Sequence, residues 1–156
     1  MLAAEPAPVR TVLSLGDWGY WQKHRLDQFD SLLRRSGIAR ALITLGNHEE
    51  YDRVAQAFDD APAGHAVRIS PYVWILPRPF RFTNGGRSVL SFGGAASVDV
   101  RSRREGVDWW PDEMPSEEQA AAAIGGGPAE VMVTHDCVEG SGVAVVENLL
   151  ASNPLG

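Results

Sequence analysis

Short apolar runs that end abruptly in polar residues are the dominant pattern in this chain. The clearest is Leu42-Ile43-Thr44-Leu45, which is followed at once by Gly46-Asn47-His48-Glu49-Glu50. An apolar run of this length that is bounded by glycine is typical of a buried strand, so the polar group lies where the strand ends. Two further runs end alike, residues 9–15 before Gly16-Asp17 and residues 131–134 before His135-Asp136.

The segment between the first two runs has the spacing of an amphipathic helix. Apolar side chains recur on one face, and charged side chains occupy the other. The apolar face comprises Leu26, Phe29, Leu32 and Leu33, and the charged face comprises Asp27, Asp30, Arg34 and Arg35. Gly37 is a natural stop for this helix, and residues 39–45 return as the central strand. Strand, helix and strand over this length predict a βαβ unit whose two strands run parallel.

The middle of the chain has a different texture, because short strand-like segments alternate with prolines and glycines. Asn84-Gly85-Gly86 lies between two such segments, and Asn-Gly in that position indicates a β-hairpin. We therefore expect residues 67–92 to be largely antiparallel. Gly93-Gly94 then marks a tight turn or a close approach of the backbone to another element.

Helices are also expected before and after this region. Residues 51–58 are predicted to form a short helix. Ser116-Glu117-Glu118-Gln119 is a capping box, and it opens a helix that ends at residues 125–128. The loop of residues 95–115 before it is long, and the pair Trp109-Trp110 favours an ordered loop in which the indoles are packing anchors.

Composition places the chain among ordinary globular proteins and argues against some functions. Its 156 residues, 44% hydrophobic and 22% charged, predict a single domain over residues 1–156, with residues 1–8 disordered or loosely held. The net charge of -6 argues against general electrostatic binding to nucleic acid or to an anionic membrane surface. No apolar run is long enough for a transmembrane helix, and no secretory signal is recognisable. The single cysteine, Cys137, fits a reducing compartment, so a cytoplasmic location is expected.

The polar residues at the three strand ends are suited to binding a metal ion. Asp17, Asn47 with His48, and His135 each follow an apolar run, so we expect them to meet at one edge of the sheet. Carboxylate, amide oxygen and imidazole together suit Mn²⁺, Fe or Zn²⁺ better than a thiolate-preferring ion. The glycines that precede Asp17 and Asn47 allow the sharp turns that aim these side chains inward.

These motifs resemble those of calcineurin-like metallophosphoesterases. Gly16-Asp17, Gly46-Asn47-His48-Glu49 and Thr134-His135-Asp136 are similar to the second, third and fourth motifs of that superfamily. Agreement with a bacterial and phage branch of it extends to three further stretches, at residues 15–21, 93–99 and 109–111. The resemblance implies an α/β fold in which a calcineurin-like mixed β-sheet is layered with helices.

The resemblance also implies roles for individual residues. Asp17 would be the carboxylate that bridges two metals, and Asn47 and His135 would be ligands of the second metal. His48 would face the phosphate and help to protonate or stabilise the leaving oxygen, so that His48 and Asp17 are the catalytic residues. The implied reaction is hydrolysis of a phosphate monoester or diester by a metal-activated water.

Two motifs of the superfamily have no counterpart in this sequence. The first, Asp-x-His, should precede Asp17, and the fifth, Gly-His-x-His, should follow His135, so the expected fold is truncated at both ends. Three ligands can hold one ion with open positions, which implies an impaired phosphoesterase. The alternative is a catalytically inactive binding or regulatory module. Loss of an outer strand would expose a sheet edge, so either self-association through that edge or a rearranged N-terminal segment that covers it is expected.

Three arginines in the long loop, Arg101, Arg103 and Arg104, are candidates for gripping the phosphate of a substrate, because guanidinium is well shaped for it. A solvated loop is the alternative explanation for them. His24 and His65 are the remaining histidines. Either could replace a missing ligand, but surface positions are the simpler interpretation.

Overall fold

The computed structural model describes residues 9–19, 21–59 and 61–136. Its strands are β1 (Thr11–Ser14), β2 (Arg40–Ile43), β3 (Val67–Arg68), β4 (Val73–Ile75), β5 (Phe80–Asn84), β6 (Arg87–Phe92) and β7 (Val131–Thr134). Its α-helices are α1 (Lys23–Arg35), α2 (Tyr51–Asp59) and α3 (Glu117–Gly125). The expectations for residues 1–8 and for Cys137, and the short apolar element that the sequence predicts within residues 143–150, lie outside the described residues. Within the described part of the chain, no helix has the length and apolar character needed to cross a membrane.

The first sheet has the strand order β1-β2-β4-β3, and its first three strands are mutually parallel. The predicted βαβ unit is therefore confirmed, with α1 between β1 and β2. Gly37 ends α1 as expected, because its positive φ of 70° allows two bonds back to the last turn. Its N–H donates to Arg34 at 3.2 Å, and the N–H of Ile38 donates to Leu33 at 2.9 Å.

One face of β2 is buried in a cluster with residues of α1 and α2. Ala41 and Ile43, both fully buried, belong to a cluster that includes Leu33 of α1 and Val54 of α2. The expected charged face of α1 is wrong at one position, because Asp30 is buried at 9% exposure and accepts a 2.7 Å hydrogen bond from the Ser70 hydroxyl. A carboxylate can lie inside when a hydroxyl donor meets it there.

The second sheet has the order β5-β6-β7. The expected hairpin is confirmed, since Gly85 and Gly86 have φ values of 58° and 79° between antiparallel β5 and β6, as a two-residue turn of this type requires. The expectation that residues 67–92 are largely antiparallel is only partly right. Strand β4 runs parallel to β2 in the first sheet, because α2 returns the chain to the starting edge before β4 begins.

The two sheets meet where β2 and β6 end. The hydroxyls of Thr44 and Ser91 lie 2.9 Å apart, and the N–H of Gly94 donates to the carbonyl of Leu45 at 2.7 Å. A Cβ atom at Gly93 would overlap the backbone of Leu45, so the close approach expected at this glycine pair is confirmed. Helix α3 begins with the predicted capping box at Ser116. It is joined to the second sheet by Arg81 of β5, whose guanidinium donates to the carbonyl of Ala123 at 2.9 Å. The chain is therefore a mixed α/β fold.

Strand β1 lies at one end of the strand order among the described residues. It pairs with β2 on one side, and its four residues are only half-buried. Leu15, directly after it, is 58% exposed. Self-association through this edge stays a prediction.

Candidate metal centre

The loop that follows β1 has an unusual backbone at the predicted carboxylate. Gly16 has a φ of 100° and Asp17 a φ of 51°. A residue with a side chain rarely adopts positive φ, although aspartate tolerates it better than most. The Oδ1 atom of Asp17 accepts a 2.9 Å hydrogen bond from the main-chain N–H of His48, in the loop after β2. The strained backbone therefore brings the carboxylate across to the neighbouring strand end, and such strain is common at functional sites.

A fully buried carboxylate, Glu49, joins the loops that follow β1 and β2. It accepts hydrogen bonds from the main-chain N–H of Trp18 at 3.0 Å, from the Trp21 indole at 2.7 Å and from the Gly46 N–H at 3.3 Å. Gly46 itself has no room for a Cβ atom, which would overlap Asp17. The glycine is thus required for close approach of the two loops and not for a positive φ.

Asn47 is held from the side opposite the site. Its side-chain NH₂ group donates to the hydroxyl of Ser97 at 2.9 Å. The carboxylate of Glu113 in turn accepts from the Ser97 N–H at 2.7 Å and from the Ser97 hydroxyl at 3.0 Å. Both Ser97 and Glu113 are buried. These contacts leave the Oδ1 atom of Asn47 directed toward His135.

His135 reaches the site from the second sheet, at the end of β7. This corrects the expectation that all three strand ends share one sheet edge, and the reason is that the two sheets converge there. The Nδ1 atom donates to the Leu15 carbonyl at 2.6 Å. The Nε2 atom lies 2.9 Å from Oδ1 of Asn47 and 3.3 Å from Oδ1 of Asp17. Gly16 makes this approach possible, because a Cβ atom there would overlap the imidazole.

Three acceptor atoms therefore converge at one point. A carbonyl cannot donate, so the ring proton on Nδ1 of His135 is committed to Leu15. The Nε2 lone pair then faces an amide oxygen and a carboxylate oxygen, and a cation held between these three atoms would interact favourably with each of them. Two ligand atoms about 2.1 Å from one ion lie about 3.0 to 3.4 Å apart. The observed separations of 2.9 and 3.3 Å match that spacing, so the residues present fit a cation.

The donor set is small in the part of the chain that the structure describes. No group of three or more His, Cys, Asp and Glu side chains able to hold a metal occurs within residues 9–19, 21–59 and 61–136. Asp17 and His135 provide two such side chains, and Asn47 adds the third donor as an amide oxygen.

His48 and one of the predicted arginines form a second cluster beside these residues. A guanidinium nitrogen of Arg103 lies 2.9 and 3.1 Å from the two ring nitrogens of His48. Arg103 is tethered by Asp99 at 2.7 Å and by the carbonyl of Asp108 at 2.7 Å. The hydrogen bond from Arg103 lowers the pKa of the Asp99 carboxyl. This arrangement places a cationic group next to an exposed imidazole.

The other sequence candidates lie elsewhere. Arg101 and Arg104 are exposed, and among the described residues neither side chain has a contact that joins it to the site. His24 and His65 are exposed, which confirms their surface placement. Trp110 packs against the core of the first sheet, as a packing anchor should.

Three residues of the site were not singled out from the sequence. Glu49 stands in the Gly46-Asn47-His48-Glu49 stretch, Ser97 in the stretch of residues 93–99, and Glu113 just after Trp109-Trp110-Pro111. Their position within or beside the motifs was a signal, but their partners are distant in sequence. Asn47 and Ser97 are 50 residues apart.

Comparisons of the chain with models of protein families, with curated proteins and with solved structures found no match. The resemblance to calcineurin-like metallophosphoesterases therefore stays a prediction from the motif residues of the sequence.

Proposed function

We propose that this chain is a metal-dependent phosphoesterase of the calcineurin-like kind, which hydrolyses a phosphate monoester or diester. The observation that supports it is the convergence of acceptor atoms from Asp17, Asn47 and His135, with separations of 2.9 and 3.3 Å about Nε2 of His135. The two mixed sheets and the three α-helices of the described residues are compatible with an α/β fold, and the calcineurin-like arrangement is part of the proposal.

Asp17, Asn47 and His135 would hold a divalent cation, with Mn²⁺, Fe or Zn²⁺ the ions that best suit this donor set. When bound, such a cation supplies Lewis acidity that activates water and polarises a phosphoryl oxygen. The carboxylate of Asp17 contributes the negative charge of the set, and the main-chain N–H of His48 fixes its position.

His48 and Arg103 would act on the phosphate. The exposed His48 imidazole can deliver a proton to the leaving oxygen, which is the ordinary role of histidine as a general acid. The Arg103 guanidinium, held by Asp99 and the Asp108 carbonyl, can donate to phosphoryl oxygens with its remaining N–H groups.

The test measures Mn²⁺ binding to the metal-free chain by calorimetry, together with turnover of bis(4-nitrophenyl) phosphate and 4-nitrophenyl phosphate. Asp17→Asn should lose both binding and turnover. His48→Ala should lose turnover but keep binding, because only the main chain of His48 contacts Asp17. Asp27→Asn and His24→Ala, at exposed positions of α1, are the matched controls and should behave like the wild type.

Absence of Mn²⁺, Fe²⁺ and Zn²⁺ binding would contradict the proposal. Binding that depends on Asp17 without turnover of either ester would instead support the alternative of a non-catalytic module that retains the ion.

A further inference from the structure

The side-chain amide of Asn47 can turn either its oxygen or its NH₂ group toward the site. Only the oxygen can bind a cation, and the two orientations have almost the same shape. Packing alone therefore cannot select the ligating orientation. A hydrogen-bonding partner of fixed polarity has to do so.

Ser97 and Glu113 provide that polarity. Glu113 is 1% exposed, and its two oxygens accept from the N–H and the hydroxyl of Ser97 at 2.7 and 3.0 Å. A hydroxyl has one proton. Because the Ser97 proton is committed to Glu113, its oxygen can only accept, and the group it accepts from is the NH₂ of Asn47 at 2.9 Å.

We propose that Ser97 and Glu113 are positioning residues, which set the amide of Asn47 with its oxygen toward Asp17 and His135. The inference rests on the proposed function in that it makes Asn47 a metal ligand. Neither positioning residue touches the cation or the substrate. The Glu113 carboxylate fixes the Ser97 hydroxyl oxygen as an acceptor, and that oxygen fixes the orientation of the Asn47 amide.

The hydrogen bonds from Asn47 to Ser97 and from Ser97 to Glu113 form a relay, and the surrounding structure holds this relay in place. The main-chain carbonyl of Glu113 accepts from Arg78 at 2.9 Å. Gly94, with a φ of 95°, has no room for a Cβ atom beside that carbonyl. The relay also closes the loop between Ser97 and Glu113, and this loop carries Arg103. The same hydrogen bonds therefore position both Asn47, the proposed metal ligand, and the loop that carries Arg103, the arginine proposed to bind phosphate.

The decisive variant is Glu113→Gln, which keeps the shape and reverses the polarity. The glutamine oxygen accepts from the Ser97 N–H, so its NH₂ group donates to the Ser97 hydroxyl. The Ser97 proton no longer has its Glu113 acceptor and can donate to the oxygen of Asn47, which turns that oxygen away from the site. We expect Mn²⁺ affinity to fall about 10- to 100-fold, the usual cost of losing a partner behind a ligand.

Two serine variants test the same hydroxyl. Ser97→Ala removes it and should lower Mn²⁺ affinity to a similar extent. Ser97→Thr keeps it and should stay within about threefold of the wild type. Unfolding by urea without metal is measured in parallel. Equal Mn²⁺ affinity in Glu113→Gln and the wild type would overturn the proposal, whatever the loss of stability.

A double variant gives a readout that a merely structural role would not move. In Asn47→Asp with Glu113→Gln, the new carboxylate can accept from the Ser97 hydroxyl with one oxygen and present the other to the site. We expect Mn²⁺ affinity to recover at least about tenfold relative to Glu113→Gln, beyond the effect of Asn47→Asp alone. Additive effects would count against the relay.

The orientation of the amide is also measurable without metal. NMR contacts of the Asn47 side-chain protons should go to the β-protons of Ser97 in the wild type and to the ring of His135 in Glu113→Gln. If the wild type binds no divalent ion, the proposed function fails, but these contacts still decide the relay. Unchanged contacts in Glu113→Gln would overturn it.

Discussion

Two buried glutamates lie behind the candidate metal centre, and they differ in what they hold. Glu49 is 0% exposed and Glu113 is 1% exposed. Glu49 accepts from two main-chain N–H groups and one indole N–H, which belong to Gly46, Trp18 and Trp21. Glu113 accepts both of its hydrogen bonds from Ser97.

The difference lies in the donors. An N–H group can only donate, so the interactions of Glu49 end at the loops that it joins. A hydroxyl both donates and accepts, so the interaction of Glu113 with Ser97 continues to Asn47. Residue type and burial are therefore poor guides to the role of a buried carboxylate. The first glutamate secures the backbone at two strand ends, and the second sets the direction of a side chain.

The largest effect is expected for Glu49→Gln. Whichever way the glutamine amide turns, its NH₂ group faces at least one N–H that cannot accept, so at least two buried donors stay unsatisfied. We expect the free energy of unfolding in urea to fall by about 2–4 kcal/mol. In Glu113→Gln the Ser97 hydroxyl can rotate to match, so the expected loss is about 1 kcal/mol. Equal losses in the two variants would remove the distinction between the glutamates.

The loss of Mn²⁺ affinity in Asp17→Asn is the reference for the loss of Mn²⁺ affinity in Glu113→Gln. Removal of the only carboxylate of the donor set should lower Mn²⁺ affinity by more than about 100-fold, since losing an outer partner alone costs about 10- to 100-fold. Stability should change little, because asparagine also tolerates the positive φ at this position. Calorimetry and urea unfolding measure the two quantities. A larger affinity loss in Glu113→Gln than in Asp17→Asn would contradict these roles.

Arg103→Ala should separate phosphate binding from cation binding. Loss of the guanidinium beside His48 should raise KM for a phosphodiester about tenfold, the effect expected of about 1.4 kcal/mol of ionic hydrogen bonding. Mn²⁺ affinity should be unchanged. Arg101→Ala is the control, because Arg101 is exposed in the same loop. Steady-state kinetics and calorimetry decide, and equal KM values for the two variants would refute the role of Arg103.

The smallest effect concerns the tether between Asp99 and Arg103. The hydrogen bond from Arg103 lowers the pKa of Asp99, so the interaction stabilises the folded chain above the usual aspartate range and is lost as the pH falls through the lowered value. NMR titration of the Asp99 carboxyl should therefore give a pKa below the usual range, and Arg103→Ala should restore it. An ordinary pKa in the wild type would show that the tether is absent in solution.

Several features followed from local sequence because their causes act over a few residues. The Asn84-Gly85-Gly86 turn, the stop at Gly37 and the capping box at Ser116 each depend on backbone preferences within one turn of chain. The burial of β2 followed from its continuous apolar run. The polar residues Asp17 and His135 could be placed at strand ends because each comes just after an apolar run in the sequence.

Other features depended on which segments pack together. Nothing local distinguishes β4 as a parallel partner of β2, or shows that Asp30 on α1 meets Ser70. The arrival of His135 from the second sheet follows from the way the two sheets converge, and the different partners of Glu49 and Glu113 follow from which loops pack beside them. The amino-acid sequence by itself determined where strands end and which donors stand there. Only the tertiary structure decided which of those donors share a site, because contacts between residues far apart in the sequence, such as the 88 positions between Asn47 and His135, depend on the packing of the whole fold.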